Sequence, residues 1–236
     1  MKNEKVNNNS LKYGGGYDAS RAFEYENGFY LTSEPYRMGN ILAHYELYKR
    51  IVELPGAVVE CGVFKGSSLI QFATFRELLE NENSRRIIGF DMFGPFPEDD
   101  HVASDAAFIK RWNDQFAGAF LAKEDIEESL RLKGIGNVEL VQGDITKTLD
   151  AYVAQHPELR IALLHIDTDV YTPAKKALDV LFDHVVPGGL VVFDDYGTIA
   201  GETLAVDEFL AGKDYTIRKF RFSHTKPSWI VKGDHA

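Results

Sequence analysis

Cysteine is nearly missing from this chain: Cys61 is the only one in 236 residues, so no disulfide can form within it. The redox compartment is thereby left open, with a reducing cytosol as the default. The thiol follows Val58-Val59 and precedes Val63, which predicts a buried side chain rather than a nucleophile. Long apolar runs are missing too. None approaches the roughly 20 residues of a membrane span, and Met1 to Ser10 holds no apolar stretch for a signal peptide, so a soluble cytoplasmic protein is expected. Positive charge is short, with 26 Lys and Arg against 36 Asp and Glu and a net charge of −10. That balance works against a phosphate backbone or an anionic bilayer, and neither nucleic acid nor membrane is an expected partner. The small basic clusters Arg85-Arg86 and Arg218 to Arg221 read as solvated surface. Nothing resembles a linker. One domain is expected over 35–236, after a flexible N-terminal segment or lid over 1–34 that is rich in Asn, Lys and Gly.

What is present is a regular alternation. From Pro35 to Val52 the apolar positions recur at three- and four-residue spacing, as in an amphipathic helix, and Pro55-Gly56 stops it. Short apolar runs follow at Ala57 to Cys61, Arg86 to Asp91, Asn137 to Val141, Arg160 to Ile166 and Gly189 to Asp194. Between and after them, helices fit Ser67 to Glu80, Glu124 to Lys133, Thr146 to Gln155, Pro173 to Val185 and Glu202 to Leu210. Strands alternating with helices of this length predict an α/β fold, a mainly parallel sheet with helices on both faces. Tyr215 to Phe222 and Ser228 to Val231 predict a C-terminal β-hairpin. The irregular stretch 92–123, with Phe93, Phe96, Phe108, Trp112 and Phe116, reads as an insertion near the site with a helical section.

In an open parallel sheet, ligands bind beyond the carboxyl ends of the strands, so the residues that end each apolar run carry the information. The first run passes into Glu60-Cys61-Gly62-Val63-Phe64-Lys65-Gly66-Ser67-Ser68, whose glycines permit close backbone approach to a ligand. It holds Gly62 and Gly66 only, short of the dinucleotide pattern, which disfavours a nicotinamide cofactor. The second run ends at Asp91, placed to accept from both ribose hydroxyls of a nucleoside. The third ends Gln142-Gly143-Asp144, where a carboxylate can accept from an exocyclic amine such as that of adenine. Each of these also fits a helix cap; three in order along one sheet favour adenosine. The fourth and fifth end in Asp167-Thr168-Asp169 and Asp194-Asp195-Tyr196. Carboxylates converging in a partly desolvated cleft repel unless a cation neutralises them, and all-oxygen ligands suit a hard ion such as Mg²⁺. The other reading is that Asp194-Asp195 caps a turn and Asp169 lies on the surface. If the fourth strand persists, Asp167 and Asp169 face one cleft, one for metal and one for a proton.

The segments VVECGVFKGSSL, GFDMFGPFPE, HIDTDVYTPAKKALD and VPGGLVVFDDYG resemble the TylF/MycF-type macrocin O-methyltransferases, which methylate sugar hydroxyls of antibiotics and related small molecules. The resemblance runs from about Leu31 to Leu210. It implies a Rossmann-like seven-stranded sheet, S-adenosylmethionine as donor, Mg²⁺ as cofactor and a small-molecule hydroxyl as acceptor. Carried over by position, it puts Glu60 and Gly62 beside the methionine part of the donor, Asp91 at its ribose and Asp144 at its adenine. Ser68 and Gln142 complete the donor-binding set. Asp167, Asp194 and Asp195 would hold the metal, and Asp169 would be the general base, since Val170 stands where related metal-dependent enzymes carry Lys or His. The segment Asp144 to Leu149 and the long insertion differ from the antibiotic enzymes, which leaves the acceptor open. His101, in that insertion, has two readings, a group that assists at the site or, as for most lone loop histidines, an exposed side chain.

Two other functions compete with this one. A hydroxylase of the cephalosporin-hydroxylase-like type needs iron on two histidines and a carboxylate; His165 shares a strand face with Asp167, but the sequence places no second histidine beside it. A non-catalytic adenosine-binding scaffold would tolerate loss of the metal aspartates, and all three are present. The aromatic residues Tyr13, Tyr17, Phe23, Tyr25, Phe29 and Tyr30 either close over the pocket or meet a partner chain, and a homo-oligomer is expected.

Overall fold

Five apolar runs become the parallel part of one sheet, and their carboxyl ends all point the same way. The computed structural model describes residues 11–97, 102–223 and 226–234. The strands are β1 (Ala57–Cys61), β2 (Ile87–Asp91), β3 (Val138–Gln142), β4 (Ile161–Ile166), β5 (Val185–Phe193), β6 (Arg218–Lys219) and β7 (Ser228–Val231), in the spatial order β3-β2-β1-β4-β5-β7-β6. β1 to β5 pair in parallel, while β7 lies antiparallel between β5 and β6. The helices are α1 (Ala22–Thr32), α2 (Pro35–Lys49), α3 (Ser67–Leu79), α4 (Ala106–Gln115), α5 (Lys123–Leu132), α6 (Ile145–Gln155), α7 (Tyr171–Leu181) and α8 (Ala200–Leu210). None of the described helices is long and apolar enough to cross a membrane.

Two cores form because the strands are buried on both faces. On one face Val59, Cys61, Leu164, Ile166, Val191 and Phe193 meet α6, α7 and α8 through residues such as Leu149, Leu178 and Val206. On the other, Val58, Leu163, Leu190 and Val192 meet α2, α3 and α5 through Leu47, Phe72 and Ile126. The two-residue period of the strands therefore decides which helix layer each side chain sees. Cys61 is fully buried, as expected, and burial pushes its thiol pKa up, away from the reactive thiolate.

The boundaries depart from the sequence reading at several points. β5 begins at Val185 rather than Gly189, and α7 ends at Leu181, because the turn Phe182–His184 and the start of the strand take what looked like the last helical turn. The β-prone run Tyr215 to Phe222 pairs only at Arg218 and Lys219. No helix was expected before Pro35, yet Ala22–Thr32 forms α1. Expectations resting on Met1 to Ser10 and on His101 fall outside the described residues.

Arg85 overturns its reading as solvated surface. Its side chain is buried and donates to Glu80 Oε1 at 2.8 Å and to the carbonyls of Ile51, Val52, Leu54 and Gly56, in the segment that joins α2 to β1. Glu80 also accepts from Tyr48 Oη at 2.6 Å. Sequence cannot show this, since the carbonyls are exposed to the guanidinium only after α2 folds against β1. Arg85→Met leaves these acceptors buried without a donor. It is expected to cost about 3–5 kcal/mol in chemical denaturation, and a shift under 1 kcal/mol would contradict the capping role.

Candidate active site

The strand order reverses between β1 and β4, and a crevice opens there beyond the strand ends. It is an open crevice that holds about 100 Å³ of cavity space. Gly62, Asp91, Asp144, Asp167 and Asp169 line its floor, and Phe96, Ile109 and Trp112 of the insertion line its cover together with Phe64 and Phe120. Phe64 packs on Trp112, Phe116 and Phe120 at ring-centroid distances of 5.3, 5.1 and 6.1 Å. The cover is tied down by Asp105, immediately before α4, whose carboxylate accepts from Tyr171 N–H at 2.7 Å and so caps α7. Nothing in the sequence announced that contact.

The part of the crevice beyond β1, β2 and β3 is shaped largely by backbone. Gly62 adopts φ +92°, and a Cβ there would stand 1.8 Å from the carbonyl oxygen of Asp167, so β1 and β4 meet at this point through glycine alone. Asp91 accepts from Val63 N–H and Phe64 N–H at 2.7 and 2.9 Å and from Phe93 N–H at 2.5 Å, which fixes its carboxylate at the cleft wall. Asp144 is both of the things the sequence allowed, a helix cap and a cleft residue. It accepts from Thr146 N–H at 3.0 Å and pairs with Lys147 at 2.9 Å. Burial works against its charge, but the bonds from Thr146 and Lys147 hold its pKa below the usual value.

Three members of the expected donor set stand apart from the cleft lining. Gln142 is exposed and donates to Met92 O at 3.4 Å. Ser68 is buried in the first turn of α3. Glu60 is fully buried, and its position in β1 turns it to the α2 and α3 layer, where it faces His165 Nδ1 at 2.9 Å.

The acidic residues of β4 and β5 do converge. Asp167, Asp194 and Asp195 each offer a carboxylate oxygen, all within 4.8 Å of one another. Asp167 and Asp169 share the cleft, though not through a continued strand: β4 stops at Ile166, and Asp169 sits in the left-handed region at φ +62°. A turn rather than the two-residue period brings them together. Asp195 also caps the turn after β5, accepting from Thr198 Oγ1 at 3.0 Å, so the capping reading holds alongside the clustering. Burial first, and then the charge of Asp194, raises the pKa of Asp167 well above the ordinary value. Burial and then Asp195 do the same for Asp169. Asp194 goes the other way: burial opposes its charge, but His165 and His44 beside it hold its pKa well below.

Three residues of the cluster escaped sequence reasoning. Lys226, from the segment leading into β7, places Nζ 2.8 Å from Asp195 Oδ1 and 3.5 Å from Asp194 Oδ2, so the chain itself supplies one positive charge. Glu202 of α8 is fully buried, accepts from Asp195 N–H at 2.9 Å, and has its pKa pushed up to about 8 by burial and then Asp195. His44 of α2 stands 5.1 Å from His165, ring to ring, and is the second histidine that the sequence could not place. Residues 44 and 226 lie far from the motifs in sequence, and only packing brings them in.

A seven-stranded sheet of this order with its acidic crevice at the switch point is the architecture of the Rossmann-like methyltransferases. Residues 36–219 match the macrocin-O-methyltransferase (TylF) family, and the chain belongs to it. A relative from Streptomyces olivaceus, the 8-demethyl-8-(2,3-dimethoxy-alpha-L-rhamnosyl)-tetracenomycin-C 4'-O-methyltransferase, is 29% identical over 149 residues, 61% of this chain and 54% of the relative. The chain thus matches about half the length of that protein. Among solved structures, the calicheamicin methyltransferase CalS11 superposes with a TM-score of 0.68 at 26% identity, over 90% of this chain and 86% of that one. The O-methyltransferase NovP, at 21% identity and a TM-score of 0.70 over 84% and 79%, shares the fold.

Gly62→Ala is the sharpest test of the crevice floor. The added methyl group meets backbone in a left-handed conformation, so a loss of about 3 kcal/mol or more is expected in thermal or chemical unfolding. An unchanged midpoint would mean that β1 and β4 do not meet here as described.

Proposed function

We propose that this chain is an S-adenosylmethionine-dependent, Mg²⁺-dependent O-methyltransferase acting on a hydroxyl of a small molecule, a sugar of a natural product or a nucleotide-linked sugar. The observation that carries the reading is the row of strand-end carboxylates at one crevice: Asp91, Asp144, Asp167 and Asp169 line it, and Asp167 joins Asp194 and Asp195 at its edge. Family membership supports the reaction. The rhamnosyl acceptor in the name of the tetracenomycin relative, and the description of CalS11 as a TDP-rhamnose 3'-O-methyltransferase, support a sugar.

Each residue has a part in this proposal. Asp91 keeps acceptor capacity beyond its backbone bonds for ribose hydroxyls, and Asp144 accepts from the adenine amine. Gly62 lets the donor lie against backbone. Phe64, Phe96, Trp112 and Phe120 enclose the ligand and exclude water, which makes the segment 92–123 a cover on a domain running 35–236. Asp167, Asp194 and Asp195 fit a hard divalent ion: their oxygens converge, and Asp194 Oδ1 is buried with no hydrogen-bond partner among the described residues. When bound, S-adenosylmethionine supplies a methyl group activated by positive sulfur, and Mg²⁺ supplies charge that eases deprotonation of a hydroxyl. Asp169, which lines the crevice beside Asp167, takes the acceptor's proton on its carboxylate. Lys226 shares Asp194 and Asp195 with the ion and lowers the repulsion among the carboxylates when no ion is bound. The exposed aromatic residues Tyr17, Phe23 and Tyr30 support a homo-oligomer.

Calorimetric titration with S-adenosylhomocysteine, with and without Mg²⁺, tests the donor pocket, with micromolar binding expected. Asp91→Asn should weaken it by roughly tenfold to a hundredfold, the value of about 1.5–3 kcal/mol for hydrogen bonds to a charged group. No binding in either condition would sink the proposal. With a competent sugar acceptor, Asp167→Asn should abolish turnover while sparing donor binding, and full turnover in excess chelator would refute the metal role.

A further inference from the structure

Behind the oxygen cluster lies a second set of donor atoms of different chemistry. His44 Nε2 from α2, His165 Nε2 from β4 and Asp194 Oδ1 at the end of β5 all lie within 4.8 Å of one another, and all three residues are buried. Asp194 Oδ1 stands 3.7 Å from His44 Nε2 and 3.6 Å from His165 Nε2. Those separations are too long for hydrogen bonds. None of the three atoms has a hydrogen-bond partner among the described residues. Native proteins leave few buried polar atoms in that condition, and three gathered within 4.8 Å of one another call for a common partner.

The far side of each ring is already engaged. His165 Nδ1 lies 2.9 Å from Glu60 Oε1, and His44 Nδ1 lies 2.9 Å from Gln71 Oε1. Both oxygens are acceptors, so each Nδ1 carries a hydrogen, and an ion that takes the place of any proton on Nε2 meets a lone pair there. A carboxylate or amide oxygen behind an imidazole is how metal-ligating histidines are oriented. Phe72 packs against both rings, at 5.0 and 5.5 Å, and holds them in place.

We propose that His44, His165 and Asp194 form a binding site for a divalent transition ion such as Zn²⁺ or Fe²⁺, distinct from the all-oxygen set and sharing Asp194 with it. Two imidazole nitrogens and one carboxylate suit such ions and serve Mg²⁺ poorly. Metal–ligand lengths of about 2.0–2.2 Å put tetrahedral neighbours roughly 3.3–3.6 Å apart, close to the 3.7 and 3.6 Å that separate Asp194 Oδ1 from the two rings. The ion would pin α2 to the ends of β4 and β5 and fix Asp194, whose Oδ2 is turned to Lys226. The site goes beyond methyl transfer and stands or falls independently of it.

The full chain, stripped with chelator, is titrated with Co²⁺ in saturating Mg²⁺ while the visible d–d bands are followed. One Co²⁺ per chain, not displaced by Mg²⁺, is expected. His44→Gln and His165→Gln should each weaken it by about a hundredfold or more, and Gln71→Leu, which frees the His44 ring, by about tenfold. Asp195→Asn, which touches only the oxygen set, should leave Co²⁺ binding unchanged. His44→Gln alone decides the matter if His165→Gln fails to fold, and its retained circular dichroism shows that the fold survives. Absence of visible bands, as when a water molecule joins the three atoms, overturns the proposal. So does Co²⁺ that Mg²⁺ displaces, or that binds His44→Gln as tightly as the unaltered chain.

Discussion

Negative charge gathered where it is hard to solvate is the constraint around which this molecule is arranged. Asp167, Asp169, Asp194, Asp195 and Glu202 crowd the ends of β4 and β5 and the start of α8, several of them almost wholly buried. Burying like charges together is unfavourable unless protons, cations or donors compensate. The chain uses several such means. Lys226 brings an ammonium group, and backbone N–H groups bind Glu202. His165 sits among them: burial opposes its charge, but Asp194 and Glu60 raise its pKa well above the ordinary value. The raised pKa values of Asp167 and Asp169 are the remainder of the same imbalance.

The sheet makes that concentration possible. Parallel strands deliver all their carboxyl ends to one edge, so residues from β1, β2, β3, β4 and β5 reach a common crevice without any chain reversal between them. Burial on both faces holds the strand ends in register to within the tolerance that a ligand site needs. Local exceptions then aim individual groups. Gly62 permits the contact of β1 with β4, and the left-handed turn at Asp169 returns a second carboxylate to the crevice.

The cover and the cluster are linked through unassuming contacts. Asp105 joins the insertion to α7, and Glu202 joins α8 to the turn after β5. α2, which reads as an ordinary amphipathic helix, delivers His44 to the buried side of the same aspartate that faces Lys226 on the other. Asp194 is therefore the residue at which the sheet, α2 and the hairpin meet.

The sequence alone determined the parts governed by local periodicity and by the rule that parallel strands end at the ligand. Apolar runs of five or six residues alternating with helical spacing specified the parallel sheet, and their last residues specified Asp91, Asp144, Asp167, Asp194 and Asp195 as crevice or cluster groups. Tertiary structure decided the rest. Glu60 faces the helix layer because of its parity in β1, Asp169 reaches the crevice through a turn, and Arg85 is a buried cap rather than surface. Lys226 and His44 join the cluster from positions far away in the chain. Their partners exist only once separate segments pack, because a side chain's electrostatic surroundings depend on distances in space that sequence separation does not encode.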